Sequence, residues 1–238
     1  MGTAERLMPE PYLSAPRSSS GTEAMSPVLD PIAWRFADWT RSSRLRALDV
    51  GCGDGLAAAA AVNRGAHVLA VDPNDDALRH LLSRVPAEQQ VRLQLQVARL
   101  PHLDFESPQF CALHAGRVLH LLEPTSLQLT LQKFHRWVYP DGRLFISAFS
   151  PEGRAWEPAR PDYEARAARG DAWPGFIRDL RRHFPHWSDA AAPIHLLDER
   201  TLTRELELHG FTIEEVRQYP LPWDSELTCC GVVARRAP

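Results

Sequence analysis

The sequence predicts an α/β fold built on a mainly parallel sheet with helices on both faces. Three observations carry that expectation. Short apolar runs alternate with helix-like segments from Leu45 to Phe149, the first run ends in a cluster of glycines, and the second ends in an acid. Strands that alternate with helices imply right-handed crossovers and parallel neighbours.

Each element has a local reason. Residues 1–26 are rich in Pro, Ser and Gly and read as a flexible lead. Asp30-Pro31 is a helix-start signal, and Ile32, Trp34, Phe36 and Trp39 give the following segment a partly apolar face. Leu45–Val50 is a buried strand running into the glycines, and Leu56–Asn63 is alanine-rich and helix-forming. His67–Val71 is a second strand, and Asp75–Val85 has helical periodicity that stops before Pro86. Val91–Val97 and Phe110–Ala115 are the third and fourth strands. Ser126–Val138 is a helix ended by the turn Tyr139-Pro140-Asp141-Gly142, and Leu144–Phe149 is the fifth strand. Residues 150–198 break the rhythm and are longer than an ordinary connection, so they read as a functional insertion, a substrate cap. Thr201–His209 resumes as a helix, and Phe211–Gln218 and Thr228–Ala234 pair as an antiparallel hairpin around a Pro-rich turn. One domain over residues 27–238 accounts for the whole pattern.

The totals exclude several classes. A net charge of −3 in 238 residues argues against broad nucleic-acid binding, which needs a concentrated basic surface. The arginines at 166, 169, 178, 181 and 182 read as a solvated helix face. No apolar run approaches the ~20 residues that span a bilayer, and the N-terminus lacks the plan of a signal peptide. Cys52, Cys111, Cys229 and Cys230 have neither zinc spacing nor a disulfide framework, so no metal is expected and a reducing, cytoplasmic setting fits best. Cys229-Cys230 reads as a buried strand pair. The oligomeric state is left open, a homodimer included.

The motif Leu48-Asp49-Val50-Gly51-Cys52-Gly53-Asp54-Gly55 carries the chemistry. A strand that runs into glycines at alternate positions, with a helix behind, lets the backbone press against a ligand at the strand's carboxyl end. The spacing is G-x-G-x-G, not the dinucleotide G-x-G-x-x-G, and no Gly-Lys-Ser/Thr ending marks a phosphate loop. Asp49 would repel a pyrophosphate and attract an ammonium group. Asp72 ends the next strand about twenty residues on, where an acid receives ribose hydroxyls. The two halves together ask for a ligand with an ammonium and a free ribose.

Leu48–Gly55 followed by Val71-Asp72-Pro73 resembles the first two motifs of class I S-adenosylmethionine (SAM)-dependent methyltransferases. Phe110–His120 is similar to that family's fourth strand and following loop, and Tyr139–Leu144 to its turn into the fifth strand, so the resemblance spans roughly residues 30–150. It implies a Rossmann-like seven-stranded sheet of order 3-2-1-4-5-7-6 with strand 7 antiparallel. It also implies SAM as cofactor, S-adenosylhomocysteine (SAH) as product and a small-molecule acceptor as partner. By the same resemblance Asp49, Gly51, Cys52 and Gly53 would surround the methionine part, with Asp49 near its amino group. Asp72 would hold the ribose hydroxyls and Pro73 would lie beside the adenine. Ala98 would offer its N–H to the adenine ring, and Ala115 would line the floor beneath the methionine part. Two positions depart from the family: Val97 stands where an acid often accepts from the adenine amino group, and Cys111 where an Asp is common.

Methyl transfer needs alignment at ~3–3.5 Å, and a base only if the acceptor arrives protonated. His120, just after the fourth strand, is the candidate base, and packing against the adenosine or capping a turn is the alternative for it. His114 reads as a core histidine. Trp156, Trp173 and Trp187 either line an acceptor pocket or form the insertion's own core, and Tyr12, Trp34 and Trp223 are candidates to close over the site. The departures at Val97 and Cys111 keep open a second reading, a non-catalytic scaffold that binds SAM weakly or not at all. A nicotinamide-dependent oxidoreductase is disfavoured by the glycine spacing.

Overall fold

A computed structural model describes residues 28–185 and 193–237. The main sheet has seven strands: β1 (Ala47–Val50), β2 (Val68–Asp72), β3 (Leu93–Val97), β4 (Phe110–Gly116), β5 (Val138–Phe149), β8 (Phe211–Leu221) and β9 (Asp224–Arg236). A separate two-stranded ribbon, β6 (Phe176–Ile177) with β7 (Ile194–His195), lies in the insertion. The sheet order is β3-β2-β1-β4-β5-β9-β8. The pairs β1–β2, β1–β4, β2–β3 and β4–β5 are parallel, and β9 runs antiparallel to both β5 and β8. Once the two short insertion strands are set aside, this is the order 3-2-1-4-5-7-6 expected from the sequence, with the last strand reversed.

Helices α1 (Pro31–Thr40), α2 (Leu56–Asn63) and α3 (Asp75–Arg84) cover one face, and α4 (Pro124–Trp137) and α6 (Glu199–Leu208) the other. Alternation along each strand feeds two cores. Phe145 and Phe149 join Phe36, Val62 and Leu81 on the first face, while Leu144 and Ile146 join Phe134, Leu202 and Leu206 on the second. The adjacent Cys229 and Cys230 divide between these cores, and burial pushes each thiol up to about 12. They are inert apolar groups of β9, as their sequence context suggests.

Three local features differ from the sequence expectation. The turn Tyr139–Gly142 lies within β5 as an irregularity: Phe110 pairs with Val138, but Ala112 pairs with Arg143. Asp141 there takes φ 64°, a left-handed value that Asp tolerates better than most residues. The insertion holds α5 (Arg160–Ala168), and its described residues join the main core through Trp156, Leu180 and Phe184. Arg166 is structural: it donates to the carbonyls of Phe176 and Trp173 at 2.7 Å each and to Asp171 at 3.2 Å. Trp187 and the N-terminal lead with Tyr12 lie outside the described residues.

Cys111 sits at the amino end of β4, where Ser43 Oγ donates to its sulfur at 3.2 Å and the thiol donates to the Leu45 carbonyl at 3.4 Å. That is the end of the sheet opposite the glycine motif, so this departure is a matter of packing. Phe110 beside it is fully buried, with the Phe105 ring 5.0 Å away and the Arg46 guanidinium 5.0 Å over its face. Phe110→Ala is expected to cost about 3–5 kcal/mol, the usual range for a buried phenylalanine. Urea unfolding of the variant measures this, and a loss below about 1 kcal/mol would mean that this end of the sheet is not packed as described.

Candidate functional site

The carboxyl ends of β1, β2 and β4 open onto one cleft, lined by residues 51–57 together with Asp49, Asp72, His114, Gly116, Arg117 and Trp223, and by Val28–Asp30 and Ala33 from the start of α1. The glycine motif forms its wall. Gly51, Gly53 and Gly55 all take left-handed φ, 64°, 53° and 71°, which side chains with a Cβ adopt at a cost. At two of them there is no room either. A Cβ on Gly51 would lie 2.7 Å from a methyl of Val118, and one on Gly55 2.4 Å from Leu81.

Asp72 closes the turn. Its carboxylate accepts from the Gly53 N–H at 2.8 Å and from the Asn74 N–H at 2.9 Å, each on a different oxygen. The Gly51 and Cys52 N–H groups donate to the Val71 carbonyl at 2.7 and 3.0 Å. Thus β2 holds the loop that β1 feeds. Helix α2 follows Gly55 with no side-chain cap, so it begins directly behind this wall. Cys52 faces the cleft, but burial first, and then the carboxylates of Asp49 and Asp72, raise its pKa well above the ordinary thiol value. It is a neutral wall group at physiological pH.

The floor holds a buried pair. Asp49 and His114 are matched residues of the adjacent parallel strands β1 and β4, so their side chains lie on one face. Asp49 Oδ1 is 2.7 Å from His114 Nδ1, and the imidazole stacks on Phe36 with centroids 5.2 Å apart. The mouth holds a second pair: Asp30 caps α1 through the N–H groups of Ile32 and Ala33, and its other oxygen takes Arg117 at 2.8 Å. The Arg117 guanidinium also lies 4.9 Å from the Trp223 ring, and its own φ of 55° turns the chain toward the cleft.

Residues 47–142 match the family described as a methyltransferase domain. Over 114 residues the chain is 32% identical to a ubiquinone biosynthesis O-methyltransferase of Aeromonas salmonicida, an alignment that covers 47% of this chain and 46% of that protein. The match therefore spans about half the length of that relative. A SAM-dependent methyltransferase of Methanosarcina mazei has the same fold, with TM-score 0.66, 19% identity, and coverage of 88% of this chain and 98% of that one. So does the 1,6-didemethyltoxoflavin-N1-methyltransferase of Burkholderia thailandensis, solved with 1,6-didemethyltoxoflavin and SAH, with TM-score 0.62, 20% identity and coverage of 87% and 79%. The match to a methyltransferase domain thus covers residues 47–142, and the fold of the chain is that of solved SAM-dependent methyltransferases.

The structure brings together Asp49, Gly51, Cys52, Gly53 and Asp72 around one cleft. Pro73 is exposed just beyond Asp72, and Val97 is exposed at the end of β3 in register with Asp72. The Ala98 N–H donates to the Asp72 carbonyl at 3.2 Å. Ala115 is fully buried in the opposite core, because strand alternation gives the cleft side to its neighbours His114 and Gly116. The floor is accordingly His114, which the sequence reading placed in the core. His114 and Arg117 line the cleft, and the sequence reading did not place them there. The available signal was position: His114 stands two residues before Gly116 as Asp49 stands two before Gly51.

His120 lies elsewhere. It is fully buried on a short 3-10 turn (Leu119–Leu121), off the cleft, 4.3 Å from the Phe149 ring, and neither ring nitrogen has a partner among the described residues. Burial, with smaller repulsions from Arg117 and His195, lowers its pKa to about 3, so it is neutral at pH 7 and a weak proton acceptor. His195 is buried as well and lowered to about 4. Of the tryptophans, Trp156 is core, Trp173 packs on His195 at 5.0 Å, Trp34 is exposed and Trp223 lines the cleft. None of the described residues of the insertion does.

The two buried histidines have a consequence for stability. Their folded pKa values lie below the ordinary 6.5, so the unfolded chain binds more protons as the pH falls, and stability present above pH 6.5 is lost between about 6.5 and 3. Each histidine contributes up to about 1.4 kcal/mol per pH unit in that range. Urea midpoints should fall steadily from pH 7 to pH 5, and His120→Leu should flatten the fall; the same slope in both proteins would show that His120 is not buried neutral.

Proposed function

We propose that this protein is a SAM-dependent methyltransferase acting on a small-molecule acceptor by in-line displacement. The observation that carries the reading is a wall of left-handed glycines set between two acids: Asp49 on the floor and Asp72 at the rim.

The residues present suit the cofactor. Asp49 Oδ2 is buried and has no partner among the described residues, so the floor offers a charged acceptor to an ammonium group. Each Asp72 oxygen accepts one backbone N–H, which leaves lone pairs for ribose hydroxyls. The glycine wall admits a ligand to backbone distance. When bound, SAM supplies a methyl group already activated on a sulfonium. The protein's part is then to hold, align and exclude water. Arg117 and Trp223 stand at the mouth, one charged and one aromatic, where they meet whatever approaches along the cleft. The Aeromonas relative is named as a ubiquinone-pathway O-methyltransferase and the Burkholderia structure as an N-methyltransferase holding a small heteroaromatic substrate. Both names favour a small acceptor, and they divide on the acceptor atom.

No general base is assigned. His120 does not line the cleft and is neutral, which favours an acceptor that arrives deprotonated or loses its proton to water. Val97 offers no acceptor to an adenine amino group, at a cost on the order of one hydrogen bond, ~1 kcal/mol.

Calorimetric titration with SAH tests the reading. The wild-type protein should bind saturably, and Asp72→Ala should weaken binding by roughly 1.5–3 kcal/mol through lost charge-assisted hydrogen bonds. Gly53→Val should abolish binding while far-UV circular dichroism stays native. Unchanged affinity in both variants would place the cofactor elsewhere; a wild-type protein that ignores millimolar SAH would favour a non-catalytic scaffold.

A further inference from the structure

Two buried polar atoms on the cleft floor have no protein partner among the described residues: Asp49 Oδ2 and His114 Nε2. They belong to side chains already joined at 2.7 Å through their other ends, and each side chain is more than nine-tenths buried. Leaving such atoms unpaired is costly, so a fold that keeps both beside a cleft has left them for a ligand.

The chemistry of the pair defines what that ligand carries. With the Nδ1 proton of a neutral imidazole donated to Asp49, Nε2 bears a lone pair. The floor then presents one anionic acceptor and one neutral acceptor, and no donor. Gly116 keeps the imidazole edge uncovered, since a Cβ there would lie 2.9 Å from Nε2 and 2.7 Å from Cε1. Phe36 stacks on the ring and fixes its plane. A cationic group with several N–H donors matches this arrangement, and a carboxylate or phosphate does not.

We propose that His114 is a positioning residue for the amino group of the cofactor's amino-acid part: it fixes the Asp49 carboxylate so that Oδ2 faces the cleft, and it offers Nε2 to the same ammonium. The proposal rests on the SAM reading given above.

Other groups share the cleft. Asp49, Asp54 and Asp72 are anionic and favour the ammonium, Cys52 is a neutral thiol, and Arg117 is engaged by Asp30. The elements packed against the ring from α1 and β5 present Phe36 and Phe145, which do not titrate.

The experiment is calorimetry of wild type, His114→Phe and His114→Asn with two ligands, SAH and 5′-methylthioadenosine, which keeps the adenosine and the thioether but lacks the amino-acid part. His114→Phe retains the stack and should weaken SAH tenfold or more while changing 5′-methylthioadenosine less than about twofold. His114→Asn retains a donor toward Asp49 and should recover most of the SAH affinity. Equal weakening of both ligands would reduce His114 to a structural role and overturn the proposal, as would unchanged SAH binding in both variants, while leaving the SAM reading intact. Failure of the wild type to bind SAH would overturn both. If His114→Phe does not fold, His114→Ala with the same two ligands decides: equal weakening of SAH and 5′-methylthioadenosine, or no change in either, sinks the proposal.

Discussion

The hydrogen bond from the Gly53 N–H to the Asp72 carboxylate, 2.8 Å long, is the contact on which the site depends. It ties the loop after β1 to the end of β2, across the carboxyl edge of the sheet. With the bonds from the Gly51 and Cys52 N–H groups to the Val71 carbonyl, it opposes the entropy that left-handed glycines would regain if the loop loosened. With it, the loop forms a fixed wall between Asp49 and Asp72, and α2 starts behind that wall in a set direction. The same carboxylate also holds the Asn74 N–H, and Asn74 caps α3 by accepting from Asp76. One side chain therefore orders the glycine turn and the start of the next helix, and still has lone pairs toward the cleft.

Around this contact the protein separates stability from binding by sheet end and by sheet face. Cys111 and Phe110 stand at the amino edge of β4, where a changed residue alters packing alone. His114 and Gly116 stand at its carboxyl edge, on the cleft side. Ala115 between them faces the second core. The two departures from the family pattern thus differ in weight. Cys111 replaces an acid far from the ligand side and finds partners in Ser43 and Leu45. Val97 replaces an acid at the ligand edge and finds none, since it is exposed at the end of β3.

Most of the fold was legible in the sequence because its signals are local. Asp30-Pro31 starts α1, the apolar runs are the strands, and Gly51, Gly53 and Gly55 each take the left-handed φ that their spacing suggests. Strand ends were less legible. β5 runs on through Tyr139–Gly142 because a bulge absorbs a turn signal without breaking the ladder. The insertion was legible as an interruption but not as to where it packs, since Trp156 carries the same apolar signal whether it faces a ligand or the core. The site was legible where one segment builds it, as in residues 49–55, and where a motif fixes an offset, as at Asp72. It was not legible where two distant segments meet.

The histidines show why. His120 follows β4 at the edge where ligands bind, and position alone made it the candidate base; a 3-10 turn carries it into the core instead, beside Phe149. His114 lies inside an apolar strand, and hydrophobic context alone made it a core residue. What reverses the two assignments is register. Asp49 and His114 are matched across β1 and β4, and a parallel pair points matched side chains to one face. Once Asp49 is taken to face the cofactor, His114 must face it too and Ala115 must turn away. Spacing within one strand cannot supply that inference, because it needs the identity of the neighbouring strand. The order β1-β4 joins segments more than sixty residues apart, and the acid–imidazole pair exists only because that crossover has been made.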